Sequence, residues 1–138
     1  MILVDTTVWI DHFRDRRTTE QRALQHLITS GKAMIAVTDI IVTEILQGIQ
    51  NDDQFTKTRH ILRHLPCLTA RAPTTFIHAA QLYRQCRKKG ATIRSTVDCL
   101  IAAVCLENRL SLLHHDADFH ALARHCHLEI ADPGRILA

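Results

Sequence analysis

The chain opens on an apolar triplet, Ile2-Leu3-Val4, that stops on a carboxylate, Asp5. A short run of aliphatic and β-branched residues ending at a polar one predicts a buried strand. Val8, Trp9, Ile10 and Phe13 follow on one apolar face, with the hydroxyls of Thr6 and Thr7 at its start, so a helix comes next. A second helix is predicted over 19–29, closed by Gly31, and a second strand over 33–37. Thr38 or Asp39 can cap a third helix with the stripe Ile41, Val42, Ile45, Leu46 and Ile49, and a further helix over 52–65 ends before Pro66.

The remaining pattern predicts a brief strand at 67–69, a helix over 73–89 closed by Gly90, and a strongly apolar helix over 96–108. A strand at 110–114, a short helix at 118–124 and a last strand at 128–130 complete it. Strands alternate with helices, and each connection is long enough to bring the chain back parallel. The expected fold is a three-layer α/β/α sandwich around a parallel sheet. With no repeat, linker or low-complexity segment, one domain should span residues 1–138.

Composition sharpens this picture. Aromatic residues make up 4% of a chain that is 46% hydrophobic, so the core must be aliphatic, as in helices packed on a buried sheet. The N-terminus lacks the basic flank and cleavage site of a signal peptide, and no apolar run approaches the roughly 18 residues of a membrane span. A soluble, cytoplasmic protein is expected. The five cysteines, Cys67, Cys86, Cys99, Cys105 and Cys126, form no C-x-x-C pair and point to reduced thiols. The net charge of +3 is a weak pointer to an anionic partner.

Candidate chemistry lies in the acids. In a parallel sheet, ligands bind beyond the carboxyl ends of the strands. Asp5 directly follows the first strand, and Asp116 lies just past the strand ending at His114. Either can also serve simply as the N-cap of the helix after it. Asp98 shares its helical row with Ile101, Ala102 and Cys105, so its carboxylate faces protein rather than bulk water. The alternative there is a capping box formed by Ser95, Thr96, Val97 and Asp98. Glu44 falls on the polar flank of its helix, where pattern alone reads it as a solvated acid.

Carboxylates that converge repel one another unless a cation sits among them, and hard divalent ions such as Mg²⁺ or Mn²⁺ suit oxygen ligands and phosphodiester chemistry. Basic residues at the rim would attract a nucleic-acid backbone. Candidates are Arg94, four residues before Asp98, and the strip of Arg84, Arg87 and Lys88.

At these residues the sequence resembles the PIN-domain ribonucleases, and among them the VapC toxins of bacterial toxin–antitoxin pairs. The segments that carry the resemblance are ILVDTTVWID, VTEILQG, RSTVDCLIAA and LLHHDADF, and it spans nearly the whole chain. It implies that Asp5, Glu44, Asp98 and Asp116 form an acidic metal site, that Thr7 supports it through its hydroxyl, and that Asp118 is a further acid of the site. It also implies an α/β/α fold, endonucleolytic cleavage of RNA with Mg²⁺ or Mn²⁺, a homodimer, and a VapB-type antitoxin whose C-terminal segment covers the site.

Three rivals stand beside this reading. An Asp after the first strand is similar to the phospho-aspartate motif of haloacid dehalogenases, but that motif needs a second Asp where Thr7 stands. His60 and His64, with His114, His115, His120, His125 and His127, could suggest zinc, yet no H-E-x-x-H or cysteine pair accompanies them. A non-catalytic domain that keeps the fold is the third.

Overall fold

The computed structural model describes residues 1–138. Its elements are β1 (Ile2–Val4), α1 (Thr6–Phe13), α2 (Thr19–Ser30), β2 (Ile35–Thr38), α3 (Asp39–Gln47), α4 (Asp52–Arg63), β3 (Cys67–Leu68), α5 (Thr74–Lys88), α6 (Thr96–Asn108), β4 (Ser111–Leu113), α7 (Asp118–Cys126) and α8 (Pro133–Leu137). The four strands form a sheet in the order β3-β2-β1-β4, with every pairing parallel. Leu3 pairs with Ala36 on one side and Leu112 on the other, and all three are fully buried. A parallel sheet covered on both faces requires such uninterrupted apolar strands.

From β1 the chain adds β2 and β3 in one direction, then returns through α5 and α6 to place β4 on the other side of β1. The strand order therefore reverses between β1 and β4. Where it reverses, the connections leave in opposite directions and open a crevice beyond the carboxyl ends. Asp5 and Asp116 follow those two strands, and the Asp5 N–H still donates to the Leu113 carbonyl at 2.9 Å, carrying the ladder to the crevice edge.

Helix α6 is the most deeply embedded: Ile101, Ala102, Ala103 and Cys105 are fully buried. It packs against α5 and α7, while α1 packs against α2 and α3. No helix is long and apolar enough to cross a membrane.

Most predicted elements are present with shifted ends. Gly31 closes α2 in the left-handed conformation at φ 62°, and Thr38 caps α3 by accepting from the Ile41 N–H at 3.0 Å. One expected strand needs correction, and the structure decides two helix-start alternatives. The strand expected at 128–130 is reduced to one bridge, Leu112 to Ile130, because the chain turns at once into α8, which was not anticipated. Of the caps the sequence offers for α1, the Asp5 carboxylate forms and the threonine hydroxyls do not. The capping box at the start of α6 does not form, since Ser95 makes no capping hydrogen bond.

Candidate metal centre

Asp5 is held most firmly. Its Oδ2 accepts from the Thr7 N–H at 3.2 Å and the Thr7 hydroxyl at 2.7 Å, so the capping role and the crevice position coexist in one residue. It is 3% exposed, and burial pushes its carboxyl up to about 6, with the charge of Glu44 adding to the effect and the Thr7 bonds opposing it. Glu44 reaches the same region from α3, where its Oε1 accepts from the Thr6 hydroxyl at 2.8 Å. It is half-buried rather than free in solvent.

Asp98 enters from the first turn of α6. Its carboxyl is pushed up to about 7, first by burial and then by the charges of Asp116, Asp5, Asp118 and Glu44. The acids expected from the sequence thus act on one another in the fold. Asp98, Asp116 and Asp118 converge most closely, each offering an oxygen within 4.8 Å of the others'.

The loop between β4 and α7 presents two of these acids. The Asp116 N–H donates to Nδ1 of His114 at 3.1 Å, and Asp116 Oδ1 accepts from the Asp118 N–H at 3.0 Å. Arg94 donates from Nε to Asp118 Oδ1 at 3.1 Å, while its own side chain is 77% exposed. It is the one member of the basic rim tied to the cluster by an ion pair. The strip on α5 is not so tied: Arg87 lies over the Tyr83 ring instead.

Sequence reasoning missed Thr6 as the partner of Glu44, and His114, His115 and Asp11 as supports of the β4–α7 loop. Asp11 had a signal: it stands three residues after buried Val8 on α1, so the inward row contains an acid. His115 had none, because its partners Thr7 and Asp11 lie on α1, far away in sequence, and the bond of His114 to the Asp116 N–H depends on a loop conformation that no pattern announces.

An all-oxygen set of converging carboxylates, two of them driven toward protonation by burial and mutual repulsion, fits a hard divalent cation. No histidine joins a group of three ligating side chains, so the zinc reading has no geometry here. Thr7, which stands where the phospho-aspartate motif needs a second acid, instead gives its hydroxyl to Asp5 and accepts from the His115 N–H.

A parallel sheet with acids at its reversal point defines a class, and comparison with known proteins gives that class its name: the model of the PIN domain family matches residues 2–125. Ribonuclease VapC11 of Mycobacterium tuberculosis is 36% identical over 131 residues, covering 95% of this chain and 98% of that protein. The chain belongs to the PIN domain family and, within it, to the VapC ribonucleases. Among solved structures, VapBC2 from Rickettsia felis, bound to a DNA fragment from its promoter, is similar with a TM-score of 0.74 at 19% identity, over 95% of this chain and 98% of that one. A toxin–antitoxin complex from Klebsiella pneumoniae is similar with a TM-score of 0.72 at 19% identity, over 96% and 98%.

Proposed function

We propose that Asp5, Glu44, Asp98 and Asp116 are the working acids of this VapC ribonuclease, with Asp118 as an additional ligand and Thr7 as their support. The observation that carries this reading is the convergence of Asp98, Asp116 and Asp118 to within 4.8 Å, beside Asp5 and Glu44. These acids would hold Mg²⁺ or Mn²⁺, which when bound stabilises charge on a phosphodiester and activates water. The protein's own part is positional. Thr7 fixes the orientation of the Asp5 carboxylate, Thr6 that of Glu44, and α6 keeps Asp98 in surroundings that make the metal-free cluster costly. Arg94 places a cation at the mouth, where an RNA phosphate would approach.

The same reading extends to the whole chain as one domain and to its partners. A VapB-type antitoxin is supported by the relationship to VapC11 and by the two complexes of similar fold. A homodimer is supported by Phe76 and Ile77 of α5, which are 48% and 57% exposed.

Antitoxin-free protein should cleave RNA with Mg²⁺ or Mn²⁺ and stop in EDTA. Asp98→Asn should lose that cleavage while its circular dichroism stays unchanged. Equal cleavage by wild type and Asp98→Asn would rule the acidic mechanism out.

A further inference from the structure

Asp11 is an acid of α1 that the proposed reaction leaves unused, yet it is only 7% exposed. Burying a carboxylate is costly without hydrogen-bond partners. Its Oδ2 has two: the Thr18 hydroxyl at 3.5 Å and Nδ1 of His115 at 3.3 Å. His115 is gripped a second time through its backbone, whose N–H donates to the Thr7 hydroxyl at 3.1 Å. Thr7 and Asp11 stand four residues apart on α1, one turn apart on a single face. That face therefore holds both the ring and the backbone of one residue in the β4–α7 loop.

The placement matters because of what lies at each end. The Thr7 hydroxyl that accepts from His115 donates to Asp5 Oδ2 at 2.7 Å, and His115 is joined covalently to Asp116. The hydrogen bonds of Asp116 itself are all local, to His114 and to Asp118 and Phe119 in the first turn of α7. Beside the backbone bond from the Asp5 N–H to the Leu113 carbonyl, His115 is thus a second link between the acid after β1 and the acids after β4, and the one that reaches the Asp5 side chain through Thr7. We propose that Asp11 and His115 form a positioning clamp that sets the spacing of Asp5 relative to Asp116, an inference that rests on these acids holding a divalent ion.

The clamp acts on geometry, so its test measures binding of Mn²⁺ alone, by calorimetry or by the spectrum of the free ion, as well as RNA cleavage. His115 is 52% exposed at its side chain, and its replacement leaves the core intact. His115→Ala should weaken Mn²⁺ binding by about 10- to 100-fold, the range for removing a group that orients metal ligands. Its kcat for RNA should fall while KM is kept. His115→Gln, whose amide can donate to Asp11, should recover most of the lost affinity. Asp11→Ala added to His115→Ala should weaken binding no further, because the two act as one unit. Asp98→Asn serves as the control for the metal reading itself. Wild-type Mn²⁺ affinity in His115→Ala, when Asp98→Asn has lost binding, overturns the clamp and leaves the metal site standing. A loss in His115→Ala that Gln does not recover also overturns it. Wild-type affinity in Asp98→Asn would instead remove the metal reading on which the clamp depends.

Discussion

The β1–α1 junction and the entry to α6 each bring an aspartate to the same crevice, and the fold treats the two acids in opposite ways. At the junction, Asp5 is bonded by both the N–H and the hydroxyl of Thr7, and it caps α1. At the α6 entry, Asp98 stands among four other acids with no capping bond formed by Ser95 beside it. Asp5 belongs to the architecture as well as to the site, whereas Asp98 serves only the site. A cap satisfies helix donors and stabilises the helix whether or not a cation is present. A desolvated acid among like charges costs stability until a cation arrives.

The sharpest way to break this contrast is to replace each acid by alanine. Both variants should lose RNA cleavage by more than about 100-fold, beyond the upper end for merely orienting groups. Their stabilities should part. At pH 4, below the values of about 6 and about 7 that the folded carboxyls reach, repulsion is largely absent and lost hydrogen bonds dominate. Urea unfolding there should show Asp5→Ala weakened by about 1–2 kcal/mol, the cost of a lost cap. Asp98→Ala should stay within about 0.5 kcal/mol of wild type, as expected where no side-chain hydrogen bond is given up. Equal losses at the two positions would erase the distinction.

The second test uses pH. Both carboxyls titrate higher in the folded protein than the usual 3.8, so between these values the folded state binds protons that the unfolded chain has released. Stability linked to these groups is therefore full below about pH 4 and is lost as pH rises through about 6 for Asp5 and about 7 for Asp98. In EDTA the melting temperature should decline across this window, and Asp98→Asn should flatten its upper part. Adding Mn²⁺ above pH 7 should restore what was lost, because the ion binds the folded site. A metal-free melting temperature that rises from pH 4 to 7 and is unaffected by Asp98→Asn would contradict the account of Asp98.

The same contrast explains what could be read from the sequence. The end of β1 was legible because the apolar triplet Ile2-Leu3-Val4 stops abruptly at Asp5, β4 was legible to within one residue at each end, and α6 was legible over its full length, Thr96–Asn108, because it is apolar nearly all round. Asp5 and Asp98 stood out as acids against those patterns. Glu44 did not, since its environment is set by Thr6, 38 residues away, and reached it only through the family resemblance. Helix α7 runs past the expected 124 to Cys126 and ends at His127 in the left-handed conformation, a stop that no glycine announces. Ile130 satisfied strand preferences, but α8 starts three residues later and leaves room for one bridge.

A smaller effect probes the third acid of the comparison. Glu44 resembles Asp5 in having a threonine hydroxyl fix it, but that hydroxyl is its only such bond and comes from α1. Thr6→Val keeps the side chain's shape and removes the donor. Stability should fall by about 1 kcal/mol, and cleavage by about 10-fold, through the orientation of Glu44. Cleavage at the wild-type rate would return Glu44 to an ordinary surface acid.

The smallest change in stability is expected at Arg94, where the contrast between satisfied and exposed groups is greatest. Its guanidinium pairs with Asp118 at 3.1 Å while 77% exposed, and exposed pairs contribute less than about 1 kcal/mol. Arg94→Ala should therefore barely move the unfolding midpoint. Function should change in two opposed directions. Removing a cation from Asp118 leaves the carboxylates less compensated, so Mn²⁺ should bind more tightly. RNA should bind less tightly, and the slope of log affinity against log salt should shrink by about 0.7, the value for one phosphate contact on a single strand. Tighter metal with weaker RNA separates Arg94 from the acids it touches, because loss of an acid weakens metal binding. If both affinities instead match wild type, the arginine is a surface residue beside the site and the acids alone define the centre.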